Sequence, residues 1–125
     1  SSAASDLYKR QEMKTASIYQ DLEFNENKPA IKVLLETDFT KEIRILLNKG
    51  QEMKEHQTPY PIVVELVSGA IIFGVEGKEY DIEKGGLLTL AGGIPHHLIA
   101  KEESIVRLTL SKSDSSARVE DVAKK

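Results

Sequence analysis

The chain has 125 residues, 40% of them apolar and 30% charged, with a formal net charge of −3 and no cysteine. By length this is one globular domain. The composition excludes a disulfide framework and thiolate chemistry, and it lacks the basic excess of a general nucleic-acid binder, so no nucleic-acid partner is expected. No apolar run approaches the roughly 20 residues of a membrane helix. The longest, Ile62 to Val75, is broken by Glu65, Ser68, Gly69 and Gly74. No membrane partner is expected, and the expected compartment is the cytoplasm.

In chain order, residues 1–14 read as a leader or expression remnant, with Met13 a candidate native start. The domain is expected over 15–112, and a polar, flexible tail over 113–125. Ala16 to Phe24 carries Ile18, Tyr19, Leu22 and Phe24. A short helix and an irregular strand both fit it. Beyond the turn cluster Asn25 to Pro29 the period is two. Ile31, Val33 and Leu35 alternate with Lys32, Leu34 and Glu36. Ile43, Ile45 and Leu47 alternate with Glu42, Arg44 and Leu46. Both segments have the half-buried strand signature.

Pro61 to Ser68 is β-branched and apolar on both faces except at Glu65, which predicts a well-covered strand. Ala70 to Val75 and Lys78 to Ile82 flank a hairpin turn at Glu76-Gly77. Leu87 to Leu90, His96 to Ala100 and Ile105 to Leu110 supply further strands. Short strands at regular spacing, with no long helix between them, predict an all-β sandwich or barrel rather than a parallel α/β sheet.

All three histidines lie between Gly50 and Ala100, each beside a strand-like segment. His96 and His97 are adjacent, so alternation turns them to opposite faces: His96 inward with Leu98 and Ala100, His97 outward with Ile99. By the same rule Glu65 points away from Ile62, Val64 and Leu66. An ion pair with Arg44 or Arg107 on a neighbouring strand is its expected use.

Gly50, His56, Thr58 and Gly69 are spaced as in the first motif of the cupin superfamily, and Gly85, Gly93 and His96 as in the second. The stretch from Ile43 to Leu110 therefore resembles a small single-domain cupin. The resemblance implies an all-β, cupin-type double-stranded β-helix (jelly-roll) barrel. Small cupins resemble homodimers, and the outward apolar side chains Val63, Val67 and Ile99 are consistent with a homodimer here.

In metal-binding cupins the first motif brings two histidines and a glutamate, and the second a further histidine. Carried over, His56 and His96 are kept. Thr58 stands at the second histidine position, Ile62 or Val63 at the glutamate position, and Ala100 at the asparagine position of the second motif. The resemblance implies a divalent transition metal (Zn, Ni, Fe or Mn) on His56 and His96, while the lost carboxylate leaves such a charge uncompensated in an apolar barrel.

Three functions follow from these residues. The first is a barrel that binds a small molecule, with Thr58, Ile62, Val64, Leu88 and Leu98 lining the pocket beside the two histidines. The second is a metal-dependent enzyme of dioxygenase or isomerase type, with Thr58 or His97 completing the metal shell. The third is a metal-free dimeric structural or regulatory module. Whether the site is catalytic stays open at this level.

Overall fold

The alternating segments form nine strands in the computed structural model, which describes residues 13–112. The expected tail, and the expected leader up to residue 12, lie outside the described residues. The strands are β1 (Ala30–Glu36), β2 (Thr40–Leu47), β3 (Glu52–His56), β4 (Ile62–Ser68), β5 (Ala70–Val75), β6 (Lys78–Glu83), β7 (Leu87–Leu90), β8 (His96–Ala100) and β9 (Ser104–Ser111). They build two antiparallel sheets, in the orders β1-β2-β9-β4-β7 and β3-β8-β5-β6. No helix of the described chain is long and apolar enough to cross a membrane.

The core lies between the sheets. Ile43, Ile45 and Leu47 of β2, Ile62, Val64 and Leu66 of β4, and Val106 of β9 face Ile71 and Phe73 of β5 and Leu98 and Ala100 of β8. Each set repeats every second residue, because successive strand side chains point to opposite faces. Leu88 and Leu90 close one flank from β7. The β5–β6 hairpin turns at Glu76-Gly77, with φ of 52° and 76°. This is the left-handed pair that a two-residue hairpin loop requires.

Three features differ from the sequence expectation. First, β3 is an unannounced strand. Its sequence E-M-K-E-H is charged and does not alternate, and it sits at a sheet edge where polar side chains reach water.

Second, β2 is buried on both faces rather than half-buried: Arg44 and Leu46 are 3% and 1% exposed. The covering element is the segment 16–24, which forms neither helix nor strand but a turn at 18–21. Arg44 Nη1 donates to the carbonyls of Ile18 (3.2 Å) and Gln20 (2.6 Å), and Nη2 to that of Asp21 (3.1 Å).

Third, Ile31 and Val33 of β1 keep their alternation but are 57% and 47% exposed. β1 is the outer edge of its sheet, and the opposing sheet does not reach under it. Glu65 does pair across the ladder, with Arg107 and not Arg44: Arg107 Nε donates to Glu65 Oε1 at 2.9 Å, while Nη1 bonds Glu42 at 2.8 Å.

Candidate functional site

The two inward histidines meet at one end of the barrel. His56 closes β3 and His96 opens β8, and the two are direct partners in the ladder. Their ring centres lie 4.4 Å apart at an interplanar angle of 59°. His96 is buried, and its ring stacks on Phe73 with centres 5.5 Å apart and planes within 13°. His56 stays exposed at the rim.

A β-bulge in β3 makes this meeting possible. Met53 pairs with Leu98 and His56 with His96, so three steps on β3 oppose two on β8. The extra residue lets Met53 and His56, three apart in sequence, both face inward. Strict alternation would have put them on opposite faces.

The loops carrying the histidines are also fastened to each other. Gly93 N donates to Thr58 O at 2.7 Å. Gly92 lies against the Pro59 carbonyl, and a Cβ there would overlap it and come within 2.9 Å of Tyr60 Cα.

Each ring is oriented by its own backbone. His56 Nδ1 lies 2.7 Å from Lys54 O, and His96 Nδ1 3.0 Å from Ile94 O. A carbonyl oxygen only accepts, so each Nδ1 carries the proton, and the nitrogen left for a ligand in each neutral ring is Nε2. Burial holds the pKa of His96 below the ordinary histidine value. The bond to Ile94 O opposes that shift, and the nearby His56 and His97 reinforce it.

Both rings line a cavity of about 30 Å³, walled by Ile45, Met53, Ile62, Val64 and Phe73 among others. That is room for about one water or one ion. Of the residues expected to line a pocket, Ile62, Val64 and Leu98 do so. Leu88 packs against the core without reaching the cavity wall. Thr58 turns away: its Oγ1 donates to Tyr60 O at 2.9 Å, and it borders a separate rim depression of about 460 Å³ with Tyr60, Lys41 and Lys112. His97 points outward, over Gly74 and 3.8 Å from Glu79. Neither Thr58 nor His97 reaches the cavity where the two inward rings meet. Met53 and Phe73, which sequence reasoning did not assign to the site, stand in the wall. Recognising β3 as a bulged strand would have found Met53.

No family model matches this sequence, and no curated protein does. Solved structures do. An RmlC-like cupin from Desulfovibrio desulfuricans is similar with a TM-score of 0.73 and 18% identity, over 79% of this chain and 96% of that one. This chain has the cupin fold.

A conserved protein of unknown function from Streptococcus pyogenes is similar at 24% identity and a TM-score of 0.69, covering 80% of this chain and 88% of that one. KdgF from Halomonas sp. is similar at 16% identity and a TM-score of 0.68, covering 83% and 99%. At these identities the likeness is one of fold.

A divalent metal in this cupin barrel would meet two imidazole nitrogens, hydrocarbon and a thioether. Among the described residues no three of His, Cys, Asp and Glu come together. A catalytic zinc-type site takes three protein ligands and an open position. A dication here would also lack a carboxylate to balance its charge away from water. The donor set does not fit a resident divalent metal.

Proposed function

We propose that this cupin-fold protein is a binding protein that takes a small ligand at the rim of its barrel, through the Nε2 lone pairs of His56 and His96. The observation that carries the reading is the placement of each Nδ1 against a backbone carbonyl, 2.7 Å from Lys54 O for His56 and 3.0 Å from Ile94 O for His96. With each Nδ1 held against a backbone carbonyl, Nε2 is the nitrogen left for a ligand in each ring, and both histidines line the same small cavity. Such a pair receives a hydrogen-bond donor or a Lewis acid, and burial keeps His96 in its neutral, accepting form.

The cavity volume of about 30 Å³ means that only the tip of an organic ligand enters. Its body rests outside the cavity, over the exposed His56. The exposed Ile31 and Val33 on the edge strand β1 support a homodimer, which sedimentation at micromolar concentration tests.

The binding reading is tested by NMR on protein labelled with ¹⁵N at histidine, with ethylene glycol and phenol as donor-bearing probes. The Nε2 signals of His56 and His96 are expected to move together while those of His97 stay. Movement of His97 alone, or of no histidine, ends the reading. The rival is an enzyme with a resident divalent metal. About one equivalent of Zn, Ni, Fe or Mn per chain in tag-free protein would restore it.

A further inference from the structure

The depression of about 460 Å³ beside Thr58 is a second open space, apart from the paired histidines. Its lining includes Glu36, Lys41, Pro59, Tyr60, Leu110 and Lys112. No residue lines both this space and the histidine cavity. Its volume falls within the roughly 300–1,000 Å³ of small-molecule clefts.

The charges of this depression do not cancel. In the β1–β2 ladder Lys41 stands directly opposite Glu36. The Glu36 carboxylate is nevertheless bonded to Lys112, whose Nζ lies 2.7 Å from Oε2 and 3.0 Å from the Thr37 carbonyl. Lys41 is left half-buried, with no hydrogen bond or ion pair among the described residues. Two ammonium groups against one carboxylate leave one positive charge among the lining residues. A third lysine, Lys14, stands outside the lining and reaches the Glu36 carbonyl at 3.3 Å. The bond to Lys112, and then the charges of Lys112, Lys41 and Lys14, hold the Glu36 carboxyl below its ordinary 4.5. All three ammonium groups therefore act on one carboxylate. In a chain of net charge −3 this is a local reversal of sign.

A half-buried ammonium whose cross-strand carboxylate is already taken is open to an anion from solution. A cleft with an excess of one sign concentrates ligands of the other. Lysine is a compact point charge and does not demand the paired geometry of arginine, so it suits a single carboxylate group. One net positive charge also matches a monoanion better than a phosphate dianion. Pro59, Tyr60 and Leu110 add apolar surface that an inorganic anion does not use. We propose that this depression is a second binding site, taking a small organic monocarboxylate with its charged end at Lys41. The site is independent of the imidazole pair.

Sodium benzoate is the probe, followed through the backbone amide signals of the ¹⁵N-labelled full chain at constant ionic strength. Benzoate is expected to shift the amides of Lys41, Tyr60 and Ser111 and to saturate, while those of Met53 and Leu98 at the histidine cavity stay in place. Lys41→Gln is expected to weaken benzoate about tenfold, the worth of one hydrogen bond to a charged group. Lys41→Arg keeps the charge and is expected to retain the affinity. Lys84→Gln changes an exposed lysine outside the depression and is expected to leave binding as it was. Benzyl alcohol has the ring without the charge, and inorganic phosphate has charge without the ring. Each is expected to bind at least about tenfold more weakly than benzoate.

Benzoate shifts that do not saturate, that phosphate or benzyl alcohol reproduces, or that survive Lys41→Gln unchanged overturn the proposal. Shifts at Met53 and Leu98 in place of Lys41 and Tyr60 overturn it too, because they put the benzoate at the histidine cavity. Unchanged Met53 and Leu98 signals in the Lys41 variants report a folded barrel. If Lys41→Gln does not fold, the comparison of the three probes on the unaltered chain decides alone.

Discussion

Gly92 packs so closely on the Pro59 carbonyl that a methyl group at its Cα would occupy the same space. This contact, with the Gly93 N to Thr58 O bond of 2.7 Å beside it, joins the loop that follows His56 to the loop that precedes His96. The obstacle is backbone on both sides, so it cannot be relieved by a rotamer change.

Gly92→Ala is therefore expected to push the 57–61 loop outward, break the Gly93–Thr58 bond and part the two imidazoles. The expected cost is about 1–3 kcal/mol, the usual range for an overpacked site. A urea melt reads the cost, and NOEs between the His56 and His96 rings read the separation. Unchanged NOEs with unchanged stability would show that the loops do not set the ring distance.

Acid should weaken the fold through His96. Its native pKa is held below the ordinary value of 6.5 by burial, with the charges of His56 and His97 adding to the effect. The unfolded chain thus binds a proton before the native one does. Stability is fully present above about pH 6.5, declines as the pH falls toward the native pKa, and levels off below it. One proton gives at most about 1.4 kcal/mol per pH unit. Glu36, held below its ordinary 4.5 mainly by its bond to Lys112, acts in a separate and more acidic window. The check is the urea midpoint followed from about pH 7.5 to pH 5. His96→Gln should flatten the slope there, and an equal slope in that variant would assign the effect elsewhere.

The barrel was readable because its core strands obey period two without interruption. Ile62, Val64 and Leu66 declare the inner face of β4, and Leu98 and Ala100 declare that of β8, which in turn placed His96 inside and His97 outside. The glycine and histidine spacings then gave the type of barrel. Elements governed by something other than periodicity were not readable. β3 is a polar edge strand whose inward pair, Met53 and His56, depends on a bulge that leaves no mark in composition. The burial of Arg44 depends on a covering segment with no regular structure. The cavity's size depends on how far side chains from six different strands fill the interior, which no local pattern encodes.

His97 lies flat over Gly74, its direct partner on β5, and a Cβ at Gly74 would overlap the imidazole. Here the obstacle is a side chain, and it can swing away. Gly74→Ala is expected to displace His97, end its approach to Glu79 at 3.8 Å, and cost about 0.5–1.5 kcal/mol as an off-rotamer penalty. His97→Ala alone should cost little, because its pair with Glu79 is solvent-exposed. Combined, the two changes should be less damaging than their sum, since the second removes the clash of the first. Additivity in denaturant melts would mean that the glycine serves the strand's backbone rather than the ring.

Arg44 fastens the segment 16–24 to the barrel, and its removal should release that segment while the barrel stays folded. Arg44 is 3% exposed, and its guanidinium bonds three carbonyls, those of Ile18, Gln20 and Asp21. The turn has few bonds of its own: 3.3 Å bonds from Gln20 N to Ser17 O and from Tyr19 N to Ser17 Oγ, and a 2.9 Å bond from Glu23 N to Asp21 O, against an unfavourable φ of 54° at Asp21. Arg44 Nε has no hydrogen-bond partner among the described residues, so the guanidinium is not fully compensated for its burial.

Arg44→Met keeps the length and apolar stem of the side chain and deletes the three donated bonds. Hydrogen bonds from a charged donor are worth about 1.5–3 kcal/mol each, but the freed carbonyls regain water once the turn lifts off. The expected net loss is therefore near 1–3 kcal/mol, not the sum of three bonds. Arg44→Lys keeps the charge without the planar fork and should fall between the two. Hydrogen exchange read by peptide resolves the outcome. Residues 17–23 should exchange faster in Arg44→Met, while 43–47 of β2 keep their protection. Faster exchange across the whole barrel would make Arg44 part of the core's own support, and unchanged exchange at 17–23 would mean that the turn holds without it.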